Sequence, residues 1–341
     1  MRFDPIRTGR LVIRTFEPSD VEGLVVRRNT PEIARYQDWS TPFPVDRAQR
    51  IVDSIVAMEG PQNDEWWMAI VCDPETGDVY GDLAVHLTSD SRTAEVGYNF
   101  LPEYWGRGFA VEALGALVDY LFENDVVRVF GMLHPDNIAS AMVLERVGML
   151  FEGHTILSFW DDDGPSDDWI YGMTKPDRDR WRDRTTSIPE SVTLEEITPD
   201  NLDAVYRLRT HRSQEAVVAP VPPSSAQGSY PGEHEGHPIE SWMRAVYADG
   251  EPVGFVMVAQ KTSDQPIPFL WRLLVDREHQ GRGVGRRALD LVVEDARRRG
   301  ASDLDVSWHP GKGSPEGFYL AYGFVPTGRM LEDEVEARLR L

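Results

Sequence analysis

The chain has 341 residues, 41% of them hydrophobic and 27% charged, and a formal net charge of −22. This length allows two domains of ordinary size, and the composition is that of a folded protein. The acidic balance argues against nucleic-acid binding, which needs the opposite charge, and no run of about 18 apolar residues predicts a membrane span. The single cysteine, Cys72, excludes an internal disulfide and a cluster of thiolate metal ligands. Residues 1–16 lack the apolar core of a secretion signal, so we expect a cytoplasmic protein.

In chain order, the first half predicts a strand over residues 10–16. A Pro-Ser-Asp sequence then starts a helix, since Ser and Asp side chains cap helix N-termini. A second helix is predicted over residues 46–59. Three strands follow at residues 66–72, 79–87 and 94–101, and a glycine turn at 106–108 leads to a long helix at 111–124. A strand at 127–133, a short helix at 138–148 and a closing hairpin complete this half.

The second half predicts the same order of elements. Three strands at residues 245–250, 252–259 and 270–276 lead to a glycine turn at 281–285 and a helix at 286–300. A strand at 304–308 and a helix at 315–323 precede the closing hairpin. Residues 219–237 are rich in Pro, Gly and Ser, so we expect a mobile loop there and no helix. Both halves therefore predict an α+β fold, in which a mixed, mostly antiparallel sheet is flanked by helices.

An internal repeat explains this agreement. Residues 106–108 and 281–283 both read Gly-Arg-Gly, at an offset of 281 − 106 = 175, and the same offset carries Gly148 onto Gly323 without a gap. We interpret the chain as two copies of one domain, with an N-terminal copy at residues 1–180, a linker at 181–189 and a C-terminal copy at 190–341.

The glycine turn of each copy follows a strand and opens a long helix. Glycine permits positive φ, and the unpaired N–H groups of a helix's first turn favour an anion. Arg107 in one copy, and Arg282 and Arg286 in the other, add positive charge. The turn therefore predicts a phosphate or pyrophosphate site, with a tight turn that binds nothing as the alternative. Neither the Walker motif nor the dinucleotide-binding motif is present.

These residues resemble a known family. "QGRGVG", residues 280–285, resembles the signature of the GNAT acetyltransferase superfamily, whose loop holds the pyrophosphate of acetyl-coenzyme A, and "FYLAYGF", residues 318–324, resembles a later helix of that family. The C-terminal copy is similar to spermine/spermidine (diamine) acetyltransferases. The N-terminal copy, with "AEVGYNFLPEYWGRGFAVEA" from residue 94, is similar to ribosomal-protein N-terminal acetyltransferases and their small-molecule relatives. The resemblance implies a sheet splayed between its fourth and fifth strands, with the thioester in the cleft.

The resemblance also implies which residues bind acetyl-coenzyme A. Backbone groups of the fourth strand would hold the pantetheine arm, and the glycine turn would hold the pyrophosphate. In the N-terminal copy these residues are Leu101, Trp105, Gly106, Arg107, Gly108, Phe109, Ala110 and Asn137; in the C-terminal copy they are Leu274, Val275, Gln280, Gly281, Arg282, Gly283, Val284 and Gly285. Trp105 stands where the general signature has Gln or Arg.

The proposed acids differ between the copies. Tyr319 matches the family's general-acid tyrosine, with an ordinary core aromatic as the alternative and Tyr322 as a competitor. The N-terminal copy has Leu144 at that position. Its branch of the family instead offers Ser140, whose hydroxyl would lie near the sulfur, and the alternative for Ser140 is a simple helix-start residue.

The general base is open in both copies. Glu95 could take the amine proton in the N-terminal copy, or be a solvated charge at a strand end. The C-terminal copy offers water, Asp276, or Glu233 and Glu235 of the expected loop. The nearby "HEGH", residues 234–237, lacks the i, i+4 spacing of a zinc helix, so we expect no metal. The acidic segment 160–169, with two tryptophans, would hold a cationic amine or form an exposed hairpin.

The sequence thus predicts an N-acetyltransferase that moves acetyl from acetyl-coenzyme A to a primary amine of a small molecule, polyamine or aminoglycoside-like, by direct transfer in a ternary complex. The alternatives are N-terminal protein or peptide acetylation by the N-terminal copy, or one copy that binds acyl-coenzyme A without catalysis. We expect a small-molecule amine as partner, no nucleic acid or membrane, and a monomer or homodimer in which the two copies form a pseudo-dimer.

Overall fold

The computed structural model describes residues 1–161, 164–234, 237–260, 262 and 266–341. The chain divides into two compact units, Met1–Asp183 and Arg184–Leu341, which we call the N-terminal and C-terminal units. The buried apolar side chains form clusters that stay within one unit or the other. Each unit therefore has its own core.

The N-terminal unit is a mixed sheet with helices packed against it. Its strands pair in the order β1-β2-β3-β4-β5-β6-β8-β7, and among these pairs only β5–β6 is parallel. The elements are β1 (Ile6–Arg7), β2 (Val12–Thr15), α1 (Val21–Asn29), α2 (Pro31–Ala34), α3 (Val45–Val56), β3 (Trp66–Cys72), β4 (Val79–Leu87), β5 (Thr93–Phe100), α4 (Phe109–Glu123), β6 (Arg128–Leu133), α5 (Ile138–Val147), β7 (Leu150–Asp161), β8 (Gly164–Thr174) and α6 (Lys175–Asp183).

The C-terminal unit repeats this plan. Its main sheet has the order β16-β17-β15-β14-β13-β12-β9, and among these pairs only β14–β15 is parallel. The elements are β9 (Val192–Glu195), α7 (Leu202–Arg207), α8 (Val221–Ser229), β10 (Glu233–His234), β11 (His237–Pro238), β12 (Ser241–Ala248), β13 (Glu251–Ala259), β14 (Phe269–Val275), α9 (Val284–Arg298), β15 (Asp303–Trp308), α10 (Glu316–Tyr322), β16 (Val325–Leu331) and β17 (Glu334–Arg340). The predicted α+β fold is confirmed.

The parallel strands are splayed in both units. Strands β5 and β6 pair only from Thr93↔Arg128 to Glu95↔Phe130, and β14 and β15 only at Phe269↔Asp305 and Leu270↔Val306. Beyond these residues the strands separate toward their carboxyl ends. The separation opens a cleft in the middle of each sheet, as the resemblance implied.

The repeat offset of 175 is preserved in the structure. Helices α4 and α9 begin at Phe109 and Val284 and contain 15 residues each, while β6 and β15 begin at residues 128 and 303. The glycines before these helices have matching left-handed conformations, with φ of 80° at Gly108 and 78° at Gly283. Both units therefore build the same strand, glycine turn and helix.

The segment 219–237 is not the helix-free loop that its composition predicts. Residues Val221–Ser229 form α8, whose two prolines lie in the first turn, where a missing N–H costs no intrahelical hydrogen bond. Gly228 faces the sheet so closely that a Cβ there would lie 2.5 Å from the Met243 sulfur. The small residues thus let the helix pack tightly against the sheet. Residues 235–236 lie outside the described part of the chain.

Helix α6 extends three residues into the predicted linker 181–189. Helix α6 continues to Asp183, because Trp181 is buried against the helix-ending Gly148. A Cβ on Gly148 would lie 2.3 Å from the Trp181 ring. Residues 181–183 therefore belong to the N-terminal unit.

A glycine on the neighbouring strand makes room for the fourth strand of the C-terminal unit. A Cβ on Gly254 would lie 2.5 Å from the Leu274 carbonyl oxygen, whereas a Cβ on Gly317, in α10, would contact nothing within 4 Å. We predict that Gly254→Ala lowers the free energy of unfolding of this unit by about 1–3 kcal/mol through overpacking. Gly317→Ala is the matched control and should be neutral or stabilising by up to about 1 kcal/mol. Hydrogen exchange of the β13 and β14 amides measures both; equal protection in the two variants would contradict the close approach.

Candidate active site

The cleft of the C-terminal unit forms a cavity of about 1000 Å³. It is bordered by β14, the glycine turn, α10 and the turn between β16 and β17. Eight of the residues predicted from the sequence line it: Leu274, Val275, Gln280, Gly281, Gly283, Val284, Gly285 and Tyr319. The splayed strands therefore bring the two separate sequence motifs of this copy to one site.

The glycine turn fits a phosphate-bearing ligand. Gly281 and Gly283 have φ of 76° and 78°, and nothing lies within 4 Å of where their Cβ atoms would be. The Arg287 N–H donates to the Gly283 carbonyl at 3.2 Å, so the N–H groups before it belong to the unpaired first turn of α9. Donors at a helix N-terminus beside open space are suited to a pyrophosphate.

The side chains of Trp105 and Gln280 form equivalent hydrogen bonds in the two units. The Trp105 indole N–H donates to the Phe100 carbonyl at 2.6 Å, and the Gln280 amide donates to the Val275 carbonyl at 3.1 Å. In each case the acceptor lies five residues earlier in the chain and is the last residue of a strand, β5 in one unit and β14 in the other. An aromatic residue can therefore replace the glutamine of the general signature, because the N–H donor that holds the turn is kept.

Arg282 does not place its charge in the cavity. Its side chain is buried, and its guanidinium donates from Nε to the Ser187 carbonyl at 2.8 Å while Nη1 lies 2.6 Å from His279 Nδ1. The expectation that this side chain adds charge at the phosphate is therefore wrong, although its backbone remains part of the turn. Arg286 is exposed and lines the cavity.

Tyr319 is both a core aromatic and a cavity residue. Its ring stacks on Trp308 with centroids 5.7 Å apart, and burial raises the pKa of its phenol, so the hydroxyl keeps its proton at neutral pH. The competitor Tyr322 is different, since its hydroxyl donates to Asp290 at 2.7 Å. Tyr319 therefore packs in the core and also borders the cavity, and its role as an acid stays a prediction.

The opposite end of the cavity carries polar groups that sequence reasoning missed. Arg272, Ser307, Glu332 and Glu334 line it. They come from β14, β15 and the β16–β17 turn, and β16 and β17 lie beyond the motifs that carry the resemblance. No periodicity or spacing connects these positions, so only the folded sheet brings them together.

Of the base candidates named from the sequence, neither Asp276 nor Glu233 is among the described residues that line this cavity. Asp276 accepts hydrogen bonds from the Glu278 N–H at 2.9 Å and the Arg209 N–H at 2.8 Å, and so serves as a turn cap. Glu233 is exposed in β10, and Glu235 lies outside the described residues. Asp276 is therefore engaged in holding the turn after β14.

The glycine turn of the N-terminal unit is held by a different set of contacts. Gly106 and Gly108 have positive φ, as in the other unit. Arg10 forms a 2.7 Å ion pair with Glu112 and donates to the Arg107 carbonyl at 2.9 Å. The exposed Arg107 guanidinium lies 5.0 Å from the ring centre of the buried Phe109. Two arginines therefore lie near this turn.

The remaining predicted cofactor residues of this unit lie at either side of the same turn. The Leu101 N–H donates to the Tyr80 carbonyl at 3.0 Å, which holds the chain as it leaves β5. Ala110 is the second residue of α4 and belongs to its first turn, because the first helical bond runs from the Glu112 N–H to the Gly108 carbonyl at 3.1 Å. The turn of this unit therefore has the same unpaired donors.

A tyrosine not predicted from the sequence joins the candidate acid of the N-terminal unit. The Tyr98 hydroxyl lies 2.6 Å from the Ser140 hydroxyl and donates to the Ser140 carbonyl at 2.9 Å. Asn137 accepts from the Ser140 N–H at 3.2 Å and so caps α5, where the prediction placed it near the pantetheine arm. The repeat alignment conceals Tyr98, because the position 175 residues later is Leu273.

Glu95 has the electrostatics of a base. Burial raises the pKa of its carboxyl group, His86 opposes the shift, and Asp168 and Asp38 raise the pKa further. A raised carboxyl pKa brings a base closer to working pH. Glu95 and Tyr98 are three residues apart on a strand, so they face opposite sides of the sheet.

Only part of the acidic hairpin is exposed and available to contact a cationic amine. Trp169 is buried, Asp168 is buried and accepts from the Ser158 hydroxyl at 2.8 Å, and Asp167 lies 2.8 Å from His154 Nε2. Trp160 is 71% exposed. Residues 162–163 lie outside the described part of the chain, so the expectation applies to Trp160 but not to Trp169.

Among the described residues, no group of three or more His, Cys, Asp and Glu side chains is arranged to hold a metal ion. None of the helices in the described ranges is long and apolar enough to cross a membrane.

Comparisons with known proteins agree with this architecture. The model of the Acetyltransferase (GNAT) domain matches residues 10–150, and that of the Acetyltransferase (GNAT) family matches residues 202–324. The chain is 30% identical over 155 residues to the N-acetyltransferase p20 of Bacillus licheniformis, covering 44% of this chain and 84% of p20. It is 26% identical over 176 residues to the N-acetyltransferase YoaA of Bacillus subtilis, covering 51% of this chain and 98% of YoaA.

Solved structures are also similar to this chain. A GNAT-family acetyltransferase from Bacillus anthracis is 24% identical with a TM-score of 0.46, and covers 51% of this chain and 99% of its own. Spermidine N-acetyltransferase from Vibrio cholerae, solved with CoA and spermine, is 19% identical with a TM-score of 0.45, and covers 50% of this chain and 99% of its own.

The fold and the family matches define an acyltransferase with two domains of one kind. The chain belongs to the GNAT family of N-acetyltransferases, which uses acetyl-coenzyme A.

The two arginines of the C-terminal glycine turn give a test of phosphate binding. We predict that Arg286→Ala weakens coenzyme A binding to this unit about tenfold, because a charge-assisted hydrogen bond to phosphate is lost. The loss should shrink as salt rises. Arg282→Ala should instead lower the melting temperature, because it removes the buried bond to the Ser187 carbonyl. Calorimetry and thermal unfolding measure the two effects; an exchange of the two phenotypes would contradict these roles.

Proposed function

We propose that the C-terminal unit transfers the acetyl group of acetyl-coenzyme A to a primary amine of a small molecule, polyamine or aminoglycoside-like, in a ternary complex. The observation that carries this proposal is the single cavity that joins the glycine turn, Tyr319 and the acidic β16–β17 turn. Glu332, Asp333 and Glu334 suit a cationic amine. One relative, an L-2,4-diaminobutyric acid acetyltransferase of Streptomyces avermitilis, is 30% identical over 89 residues.

The residues of this unit divide the chemistry among them. Acetyl-coenzyme A supplies the acetyl group as a thioester. The first-turn N–H groups of α9 and Arg286 would hold its phosphates, and backbone groups of Leu274 and Val275 would hold its pantetheine arm. Tyr319 would donate a proton to the leaving sulfur, since its raised pKa keeps the phenol protonated up to alkaline pH.

For the N-terminal unit we propose a second site of the same chemistry. Ser140, with Tyr98 hydrogen-bonded to it, would donate a proton from one face of the sheet. Glu95 would accept the proton of the amine from the other face, at the point where β5 and β6 separate. This unit is the candidate for N-terminal protein or peptide acetylation. Its alternative role is to bind acyl-coenzyme A without catalysis, because Leu144 replaces the tyrosine of the other unit.

Blocking each glycine turn in the full chain tests both sites. We expect calorimetry to find two coenzyme A sites per chain, with one lost in Gly108→Trp and the other in Gly283→Trp, since a side chain closes the backbone's approach. Acetylation of polyamines, aminoglycosides, amino acids and N-terminal peptides is then compared between the two variants. Small amines should need the turn at Gly283. A single coenzyme A site in the unmodified chain would refute the proposal for one unit.

Tyr319→Phe tests the acid of the C-terminal unit. The substitution keeps the ring that stacks on Trp308 and removes only the hydroxyl, so folding and coenzyme A affinity should hold while turnover falls about 10²–10⁴-fold. Tyr322→Phe removes a hydroxyl bonded to Asp290 and is the matched control. Turnover is measured on the best amine of the panel. If Tyr319→Phe keeps most of its activity, the thiolate leaves without this proton donor.

A further inference from the structure

The polar end of the cavity of the C-terminal unit contains a chain of acid–base groups that leads to the surface. Glu334, the first residue of β17, lines the cavity. Its Oε1 lies 3.2 Å from His309 Nε2, and His309 Nδ1 lies 3.4 Å from the Asp333 carboxylate. The Asp333 side chain is 79% exposed, whereas those of Glu334 and His309 are 33% and 35% exposed.

The sheet holds this chain in place. His309 follows directly after β15, whose last residue, Trp308, pairs with Val335 of β17. Glu334 precedes Val335, so the antiparallel register sets Glu334 beside His309. The Ser307 hydroxyl donates to the second oxygen of Glu334. The carboxylate is therefore held by one group from β15, Ser307, and one from the residue that follows it, His309, and is oriented within the cavity wall.

The other charged and titratable groups around Glu334 complete the site. Arg272 faces it from β14, Tyr319 from α10, and Glu332 shares its turn. Arg272 is itself held by bonds to the Trp271 carbonyl at 2.7 Å and to Gln227 at 3.2 Å. Glu334 is thus a carboxylate on the same cavity as the proposed acid.

We propose that Glu334 is the general base of the C-terminal unit and that His309 relays its proton to solvent. An alkyl amine arrives as an ammonium ion and must lose a proton before its lone pair can attack a carbonyl. Glu334 takes that proton, and His309 accepts it at Nε2 while its Nδ1 proton passes toward Asp333 and water. This inference rests on the proposed function, and it names the base that the sequence left open.

The protons of the whole reaction balance. The ammonium proton leaves through Glu334 and His309. The amine nitrogen then bonds to the acetyl carbon, the carbon–sulfur bond breaks, and Tyr319 protonates the sulfur. The second proton of the attacking nitrogen restores the Tyr319 phenol, directly or through water. The products are the acetamide, the free thiol and one proton released to solvent.

Glu334→Gln tests the base on two amines in the full chain. Spermidine is an ammonium ion at pH 7.5, whereas 2,2,2-trifluoroethylamine is largely neutral and needs no base. We expect kcat/KM for spermidine to fall about 10²–10⁴-fold and that for trifluoroethylamine to change little. Glu251→Gln, in the exposed first residue of β13, makes the same charge change away from the cavity and is the control. The rate that remains in Gly283→Trp is subtracted as the contribution of the N-terminal unit.

His309→Gln tests the relay through a readout that packing alone would not move. His309→Gln should lower the rate at neutral pH and have its activity partly restored by small imidazole buffers, which carry the proton in its place. A rate loss that no buffer restores would overturn the relay.

Binding gives a readout that does not depend on turnover. With coenzyme A present, spermidine should bind about tenfold more weakly to Glu334→Gln than to the unmodified chain, because a charge-assisted contact is lost. Unchanged affinity and unchanged kcat/KM in this variant would overturn the base while leaving the acetyltransferase assignment intact. Absence of transfer to every amine in the unmodified chain would overturn both.

Discussion

Both units depend on a parallel strand pair that is hydrogen-bonded for only two or three residue pairs. A sheet interior normally pairs its backbone N–H and C=O groups along the full strand. Where these strands separate, the carboxyl halves of β5 and β14 keep polar backbone groups along an open cleft. A ligand arm that contains amides can form hydrogen bonds with these backbone groups, as a neighbouring strand would. The binding site that we propose thus lies where part of the sheet is left unpaired, and the other proposed site residues surround that gap.

The proton chemistry that we propose differs between the two units, although both have the same gap between parallel strands. In the C-terminal unit a phenol on α10 lies against Trp308, whereas in the N-terminal unit a phenol on β5 reaches α5 from the strand. The proposed base of the N-terminal unit, Glu95, lies on β5. The proposed base of the C-terminal unit, Glu334, is instead the first residue of β17, in the last hairpin. A repeated backbone with rearranged side chains is consistent with two units that accept different amines.

Much of this could be predicted from the sequence because it is local. Helices α4 and α9 follow from glycine turns and apolar periodicity, and the exact offset of the copies follows from Gly106 and Gly281. Composition alone does not predict helix α8, because a proline content says nothing of where the prolines lie. Both lie in the first turn of this helix. The orientation of the Arg282 guanidinium could not be predicted, because its position beside a glycine turn does not determine which way the side chain points. Tyr98 and Glu334 depend on strand pairing across long separations, which no local pattern encodes.

The buried bond from Arg282 to the Ser187 carbonyl has a consequence for how the C-terminal unit begins. Arg287 adds a second bond, to the Pro189 carbonyl, so the start of α9 secures residues 187–189 from two points. Order in that segment and order in the glycine turn are therefore thermodynamically linked. We therefore expect a ligand that orders the turn to order the connecting segment as well, and cutting that segment to weaken binding of the ligand.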